Sequence, residues 1–160
     1  MGTTFSMTSG RAVSPGSLGA WLLKVDPAGA GARELLAGGP REVTRCVRRS
    51  YRTFLMEPGQ PVLLWVSGRD ARMPAGVHAQ GRITGVPQPA DGADGADARQ
   101  LEISVHLVPV DPPVLRAQLL ADPLLSRIEV VRMPAGSNPS YLGREELARL
   151  RELLPTPGAD

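Results

Sequence analysis

Two histidines, one cysteine, two tryptophans and a run of arginines are the residues through which this 160-residue chain could do chemistry. His78 and His106 fall on the outward faces of separate predicted strands, outside any His-x-x-His or His-Glu-x-x-His context that would bring two imidazoles to one metal ion. No metal site is expected. Cys46 is the only cysteine, which excludes an internal disulfide and a cysteine-cluster metal site. It stands beside Arg45 with no histidine nearby in sequence to serve as its base. The chain has no Gly-x-Ser-x-Gly elbow and no glycine-rich phosphate loop of Walker type. These absences point away from catalysis and from any cofactor.

What the sequence offers instead is a set of groups suited to gripping a nucleobase. Trp21 and Lys24 belong to one short apolar run, Tyr51 to an arginine-rich segment, and Trp65, Ser67 and Gly68 to the end of another run, while Asn138 and Ser140 lie in a late turn-rich loop. Aromatic stacking on a base contributes about 1 to 3 kcal/mol, and amide, hydroxyl and backbone groups read its hydrogen-bonding edge. Between Arg41 and Arg52 there are five arginines against one acid, Glu42. Arg45, Arg48, Arg49 and Arg52 are therefore the candidate phosphate contacts. All but one of the 18 basic residues are arginine, a bias that fits GC-rich codon usage. The net charge of +2 leaves local clustering as the source of any electrostatic footprint.

These groups need elements to hold them. Glu57 to Gly68 is the central stretch: Pro58-Gly59 signals a turn, and Val62 to Val66 is an uninterrupted apolar run that reads as a strand buried on both faces. Ala20 to Val25, stopped by Asp26-Pro27, reads as a first strand with Trp21, Leu23 and Val25 on one face and Leu22 and Lys24 on the other. Ala30 to Ala37 favours helix. So does Val43 to Leu55, whose apolar residues recur every four positions and leave the arginines on the opposite side. Gly76 to Thr84 alternates, with Val77, Ala79 and Ile83 facing in and His78, Gln80 and Arg82 facing out, and should pair antiparallel with the central strand. Leu101 to Val108 alternates as a half-buried strand. Asp111-Pro112 reads as a helix start, Ile128 to Met133 as a strand, Ala135 to Tyr141 as a loop, and Gly143 to Leu154 as a final helix.

The chain length suits one domain with a single core, and composition is ordinary for a soluble protein at 42% hydrophobic and 21% charged. No apolar run is long enough to span a bilayer, so no membrane partner is expected, and the N-terminal stretch lacks the pattern of a signal peptide. A cytoplasmic monomer follows as the expectation. Residues 1–19 and 155–160 are expected to be disordered tails, and 87–98, rich in alanine, aspartate and glycine, a flexible hairpin insertion. Strands in the middle with helices beside them give an α+β class with a mixed, barrel-like sheet of five or six strands.

At this point the residues resemble a known family. Trp21-Leu22-Leu23-Lys24-Val25-Asp26-Pro27 is similar to the opening Trp-Leu-x-Lys-x-x-Pro of the EVE domain, a member of the PUA-like superfamily related to thymocyte nuclear protein and to YTH and ASCH domains. Pro58-Gly59-Gln60 leading into Leu63 to Gly68, then Gly76 to Ile83, and Asn138-Pro139-Ser140-Tyr141-Leu142 with Glu145-Glu146 continue the likeness over residues 20–154. The resemblance implies a PUA-like barrel with flanking helices and a pocket for a flipped, often modified base such as 5-methylcytosine. It implies that Trp21, Ser67 and the Gly68 backbone belong to that pocket, with Trp65 beside it and Asn138 near its rim. DNA or RNA carrying a modified base is the partner so implied, and the arginine segment would meet its phosphates. Two alternatives stay open: an ASCH-like hydrolase of modified nucleosides using Lys24, which needs a carboxylate or threonine beside it, and a protein-interaction domain with a vestigial pocket.

Overall fold

The computed structural model describes residues 12–27, 38–68, 72–89 and 99–155. Among them are seven strands: β1 (Leu18–Val25), β2 (Arg41–Arg48), β3 (Pro61–Val66), β4 (Gly76–Ile83), β5 (Gln88–Pro89), β6 (Gln100–Leu115) and β7 (Ser140–Gly143). Four short helices accompany them: α1 (Tyr51–Leu55), α2 (Arg116–Leu120), α3 (Glu129–Arg132) and α4 (Arg144–Leu153), with a 3-10 turn at Leu125–Arg127. The class is mixed α+β.

The strands form one sheet in the order β2-β6-β4-β3-β1-β7, with β5 paired to β6 off that path. β1 and β3 run parallel, Trp21 opposite Val62 and Lys24 opposite Trp65. The other pairs are antiparallel, including β3 with β4 as the short connection required. Strand periodicity then sorts the apolar residues into two cores. On one face Trp21, Leu23, Val25, Leu64, Ile83 and the odd-numbered residues of β6 from Leu101 to Leu107 pack together. On the other, Leu22, Leu63, Trp65 and Val77 pack beneath residues of α2, α3 and α4. β3 is buried on both faces because it supplies both cores.

That division decides the fate of the tryptophans. Trp21 and Trp65 are 0% and 1% exposed and belong to opposite faces of the sheet. The Trp21 indole N–H donates to Gln60 Oε1 at 2.7 Å, so its polar edge is satisfied inside the protein. No slot lies between the two rings.

Several elements differ from the sequence reading. Val43 to Leu55 is not one helix: Arg41–Arg48 is an edge strand paired with β6 from Arg41 opposite Leu107 to Arg48 opposite Gln100, and only Tyr51–Leu55 is helical. A spacing of four serves both periods, since it is two repeats of a strand and close to one helical turn. On the strand, Val43 and Val47 face the core with Arg41 and Arg45 on the same side, while Arg48 lies on the other; the single basic helix face does not exist. β6 runs through Asp111-Pro112 to Leu115, its prolines falling where the register with β4 shifts between Pro109 and Val114. Ile128 to Met133 is a turn and the helix α3 rather than a strand, and Ser140–Gly143 pairs with β1 rather than looping. The sheet has seven strands, not five or six. Residues 12–19 are ordered: Val13 is buried and β1 begins at Leu18. His78 is buried rather than outward, its Nε2 lying 2.7 Å from the Pro74 carbonyl oxygen. The expected helix at 30–37 and most of the 87–98 insertion lie outside the described residues.

Trp65→Ala should lower stability by about 3 to 5 kcal/mol, the cost of emptying a large buried site. Urea unfolding followed by circular dichroism measures it; a variant as stable as wild type would contradict this packing.

Candidate functional site

The sheet's two edges approach one another at Asn138. Continuing the β1–β7 register, in which Trp21 faces Tyr141 and Leu22 faces Ser140, places Asn138 opposite Lys24. There the backbone turns away, and the side-chain amide takes over the ladder. Asn138 Oδ1 accepts from the Lys24 N–H at 2.7 Å, and its Nδ2 donates to the Lys24 carbonyl at 3.1 Å. The Asn138 carbonyl is thereby free to accept from the Arg48 N–H at the end of β2, at 2.9 Å. One residue joins β1 to β2 across the open side of the sheet.

Beside it sits a charged network. Ser50 caps α1, accepting from the Arg52 N–H at 3.1 Å, which aims Arg52 across the gap. The Arg52 guanidinium donates to both carboxylate oxygens of Glu129 at 2.9 Å each, and also to the Pro139 carbonyl at 2.9 Å. Its charged carbon lies 4.9 Å from the Tyr141 ring centre and 5.9 Å from that of Tyr51. Ser140 Oγ donates to Glu129 at 2.7 Å. Hydrogen bonding from Arg52 holds the Glu129 carboxyl below its ordinary range, and the same bond raises Arg52. The Lys24 ammonium donates to the carbonyls of Pro134 and Gly136; burial lowers its pKa, and Glu129 opposes that shift.

These contacts frame a cleft of about 290 Å³ lined by Arg48, Ser50, Tyr51, Arg52, Glu129, Met133 and residues 136–139. Tyr51 is 48% and Met133 56% exposed at its mouth. The Tyr51 hydroxyl accepts from the Val13 N–H at 3.1 Å, which fixes the ring. The Arg48 side chain has no ion pair among the described residues.

Half of the residues chosen from sequence meet here. Arg48, Tyr51, Arg52 and Asn138 line the cleft, and Lys24 and Ser140 stand directly behind it. Trp21 and Trp65 are core residues. Ser67 caps β1, its N–H and hydroxyl both donating to the Val25 carbonyl at 3.0 and 3.3 Å. Gly68 takes φ 103° in the turn that follows, against Pro27. Arg45 points to the core side of β2, where its Nε is buried without a hydrogen-bond partner. Arg49 lines a different groove. Sequence reasoning missed Glu129, Met133 and Ser137. The available signal was Glu129 itself, an acid set inside an apolar run, which demands a partner once buried.

No family model matches the chain, and no curated protein matches it in sequence. Solved structures do. A protein of Pseudomonas syringae is 17% identical with a TM-score of 0.63, the match covering 84% of this chain and 98% of that one. A hypothetical protein from Leishmania major is 15% identical with a TM-score of 0.66, covering 88% and 96%. A Rhodopseudomonas palustris protein solved by NMR is 18% identical with a TM-score of 0.65, covering 85% and 92%. The likeness is one of fold. It spans almost the whole length of each of these neighbours, so the sheet and its helices recur as a unit in all three.

Two outcomes test this construction. Asn138→Ala strands the Lys24 N–H and carbonyl and should cost about 2 kcal/mol in urea unfolding; an unchanged midpoint would contradict the bridging role. The pH dependence of Glu129 has a definite sign. Its folded pKa lies below the ordinary 4.5, so its stabilisation is fully present above that value and is lost as pH falls through the folded pKa. The stability gap between wild type and Glu129→Gln should stay constant from neutral pH to about pH 5.5 and narrow as pH falls toward about 3. A gap independent of pH would show that the Arg52–Glu129 contact contributes nothing.

Proposed function

We propose that this domain is a non-catalytic nucleic-acid-binding module that accepts one flipped nucleobase in the cleft between α1 and residues 133–139. The observation that carries the reading is the convergence of Arg48 and Tyr51 from one segment with Met133 and Asn138 from another, distant in the chain, on one preformed concavity. A half-exposed ring of fixed orientation offers a stacking face. Met133 adds a polarizable apolar contact suited to a methyl group, and Arg48 at the rim suits a phosphate. Arg52 and Glu129 neutralise one another, so the cleft interior favours an uncharged heterocycle over an anion.

The EVE-like motifs support this reading by position, because Lys24 and Asn138 to Tyr141 are the segments that build the cleft wall. The PUA-like barrel belongs to the same proposal: the Arg48–Asn138 bond brings the two sheet edges together, as partial closure would. In this reading the base lies against Tyr51, not against either tryptophan. A modified base such as 5-methylcytosine in DNA or RNA is the ligand class it favours.

One observation bears on the hydrolase alternative. Glu129 supplies the carboxylate near Lys24 that such a mechanism needs. Its two oxygens already accept from Arg52 and Ser140, however, and the Lys24 ammonium is committed to two carbonyls. A general base with most of its acceptor sites taken and its proton affinity lowered is a poor one.

Fluorescence anisotropy with short oligonucleotides carrying cytosine or 5-methylcytosine tests the proposal. Tyr51→Ala should weaken binding about tenfold. Arg48→Ala should weaken all sequences alike and reduce the salt slope by about 1. Absence of binding by the wild-type protein overturns the reading, and release of cytidine from N4-acetylcytidine would replace it with the hydrolytic one.

A further inference from the structure

A second groove lies beside α1. It encloses about 410 Å³ and is lined by Arg49, Thr53, Phe54, Met56, Glu57, Val86, Pro87, Pro89 and Leu101. Phe54 is 75% exposed and Val86 52%, an apolar display that costs solvation unless something covers it. The two concavities are adjoining parts of one surface. Arg48 and Ser50 to Arg52 line the first, while Arg49, Thr53 and Phe54 line the second, so the same seven-residue stretch borders both.

We infer that the strand whose base enters the Tyr51 cleft continues over α1, and that Phe54 provides a second stacking subsite for the neighbouring base. The inference rests on the proposed function and names its ligand class: a single-stranded segment of at least two nucleotides, not a free nucleoside and not a duplex. Three observations favour this occupant over a protein. The groove and the cleft are lined in alternation by neighbouring residues of one stretch, Arg48 to Phe54. Tyr51 and Phe54 are three residues apart on one helix, which sets their Cβ atoms about 5 to 6 Å from each other. Stacked bases of a strand sit about 3.4 Å apart, so two neighbouring bases need only part slightly to seat on the two rings. Finally, Arg48 and Arg49 stand side by side at the junction with their backbones fixed, Arg48 N–H to the Asn138 carbonyl at 2.9 Å and Arg49 N–H to the Arg99 carbonyl at 2.8 Å. In extended backbone successive side chains point to opposite sides, and these two accordingly line one concavity each. The linking phosphate crosses beside Arg48. Glu57 in the groove's lining limits the path, because a carboxylate repels a further phosphate.

The experiment compares two probes by anisotropy or calorimetry: 5-methyl-dCMP, and an eight-nucleotide single strand with one central 5-methyl-dC. Phe54→Ala should weaken the strand about ten- to a hundredfold and leave 5-methyl-dCMP unchanged, while Tyr51→Ala weakens both. Phe54 is too exposed for the change to disturb folding. The corresponding duplex should bind less tightly than the strand. If Tyr51→Ala loses both probes and Phe54→Ala neither, the second subsite falls and the first stands. If the wild-type protein binds neither probe, the base-binding reading fails and takes this one with it. A Phe54→Ala variant with unchanged strand affinity but altered sedimentation of the protein alone assigns the groove to a second copy of the chain and overturns the inference.

Discussion

The architecture depends on the way Asn138 spends its hydrogen bonds. A strand edge presents donors and acceptors in alternation, and β1 beyond Leu22 would expose the Lys24 N–H and carbonyl where β7 ends. The amide of Asn138 reproduces a peptide's donor and acceptor, so it satisfies both while its own carbonyl reaches Arg48 on the opposite edge strand. This lets the chain leave the ladder without stranding polar groups. It also fixes the distance between α1, which follows β2, and residues 133–137. The cleft is the space that this fixed distance leaves.

The ion pair of Arg52 and Glu129 works within that frame. Partly buried charges cost desolvation unless their geometry is good, and here a two-pronged contact, the Ser140 hydroxyl and the Pro139 carbonyl satisfy most of the hydrogen-bonding capacity. The pair ties α1 to α3 and to the start of β7, two elements far from α1 along the chain. Its further consequence is electrostatic. With Arg52 neutralised, Arg48 carries positive charge at the border of the two concavities.

Where sequence reading failed, it failed for identifiable reasons. Valines four apart cannot distinguish a strand from a helix, and pairing with β6 chose the strand for Arg41–Arg48. Ile128 to Met133 has the composition of a strand, but it pairs with no strand of the sheet. Burial of Val130 and Val131 against the helical layer, with Glu129 held by Arg52, favours a turn of helix instead. Asp111-Pro112 looks like a helix start because proline suits a first turn; a register shift in β6 accommodates it equally well. The tryptophans illustrate the same limit. Both were legible as residues on buried strands, yet neighbouring strands in parallel register send Trp21 and Trp65 to opposite faces.

The linear chain by itself determined the strands whose pattern is unambiguous: β1 with its two faces, β3 buried on both sides, β4, the alternating part of β6 and the final helix. Period and punctuation are local properties, so local reading suffices for them. It also identified Lys24, Arg48, Tyr51, Arg52, Asn138 and Ser140, because their chemistry is visible in their side chains. Tertiary structure alone decided that these six meet, that Glu129 and Met133 join them, and that Trp21, Trp65, Ser67 and Gly68 do not. The physical reason is that a side chain's neighbours depend on strand order and register, which arise from pairing between distant segments and leave no trace in the spacing along any one of them.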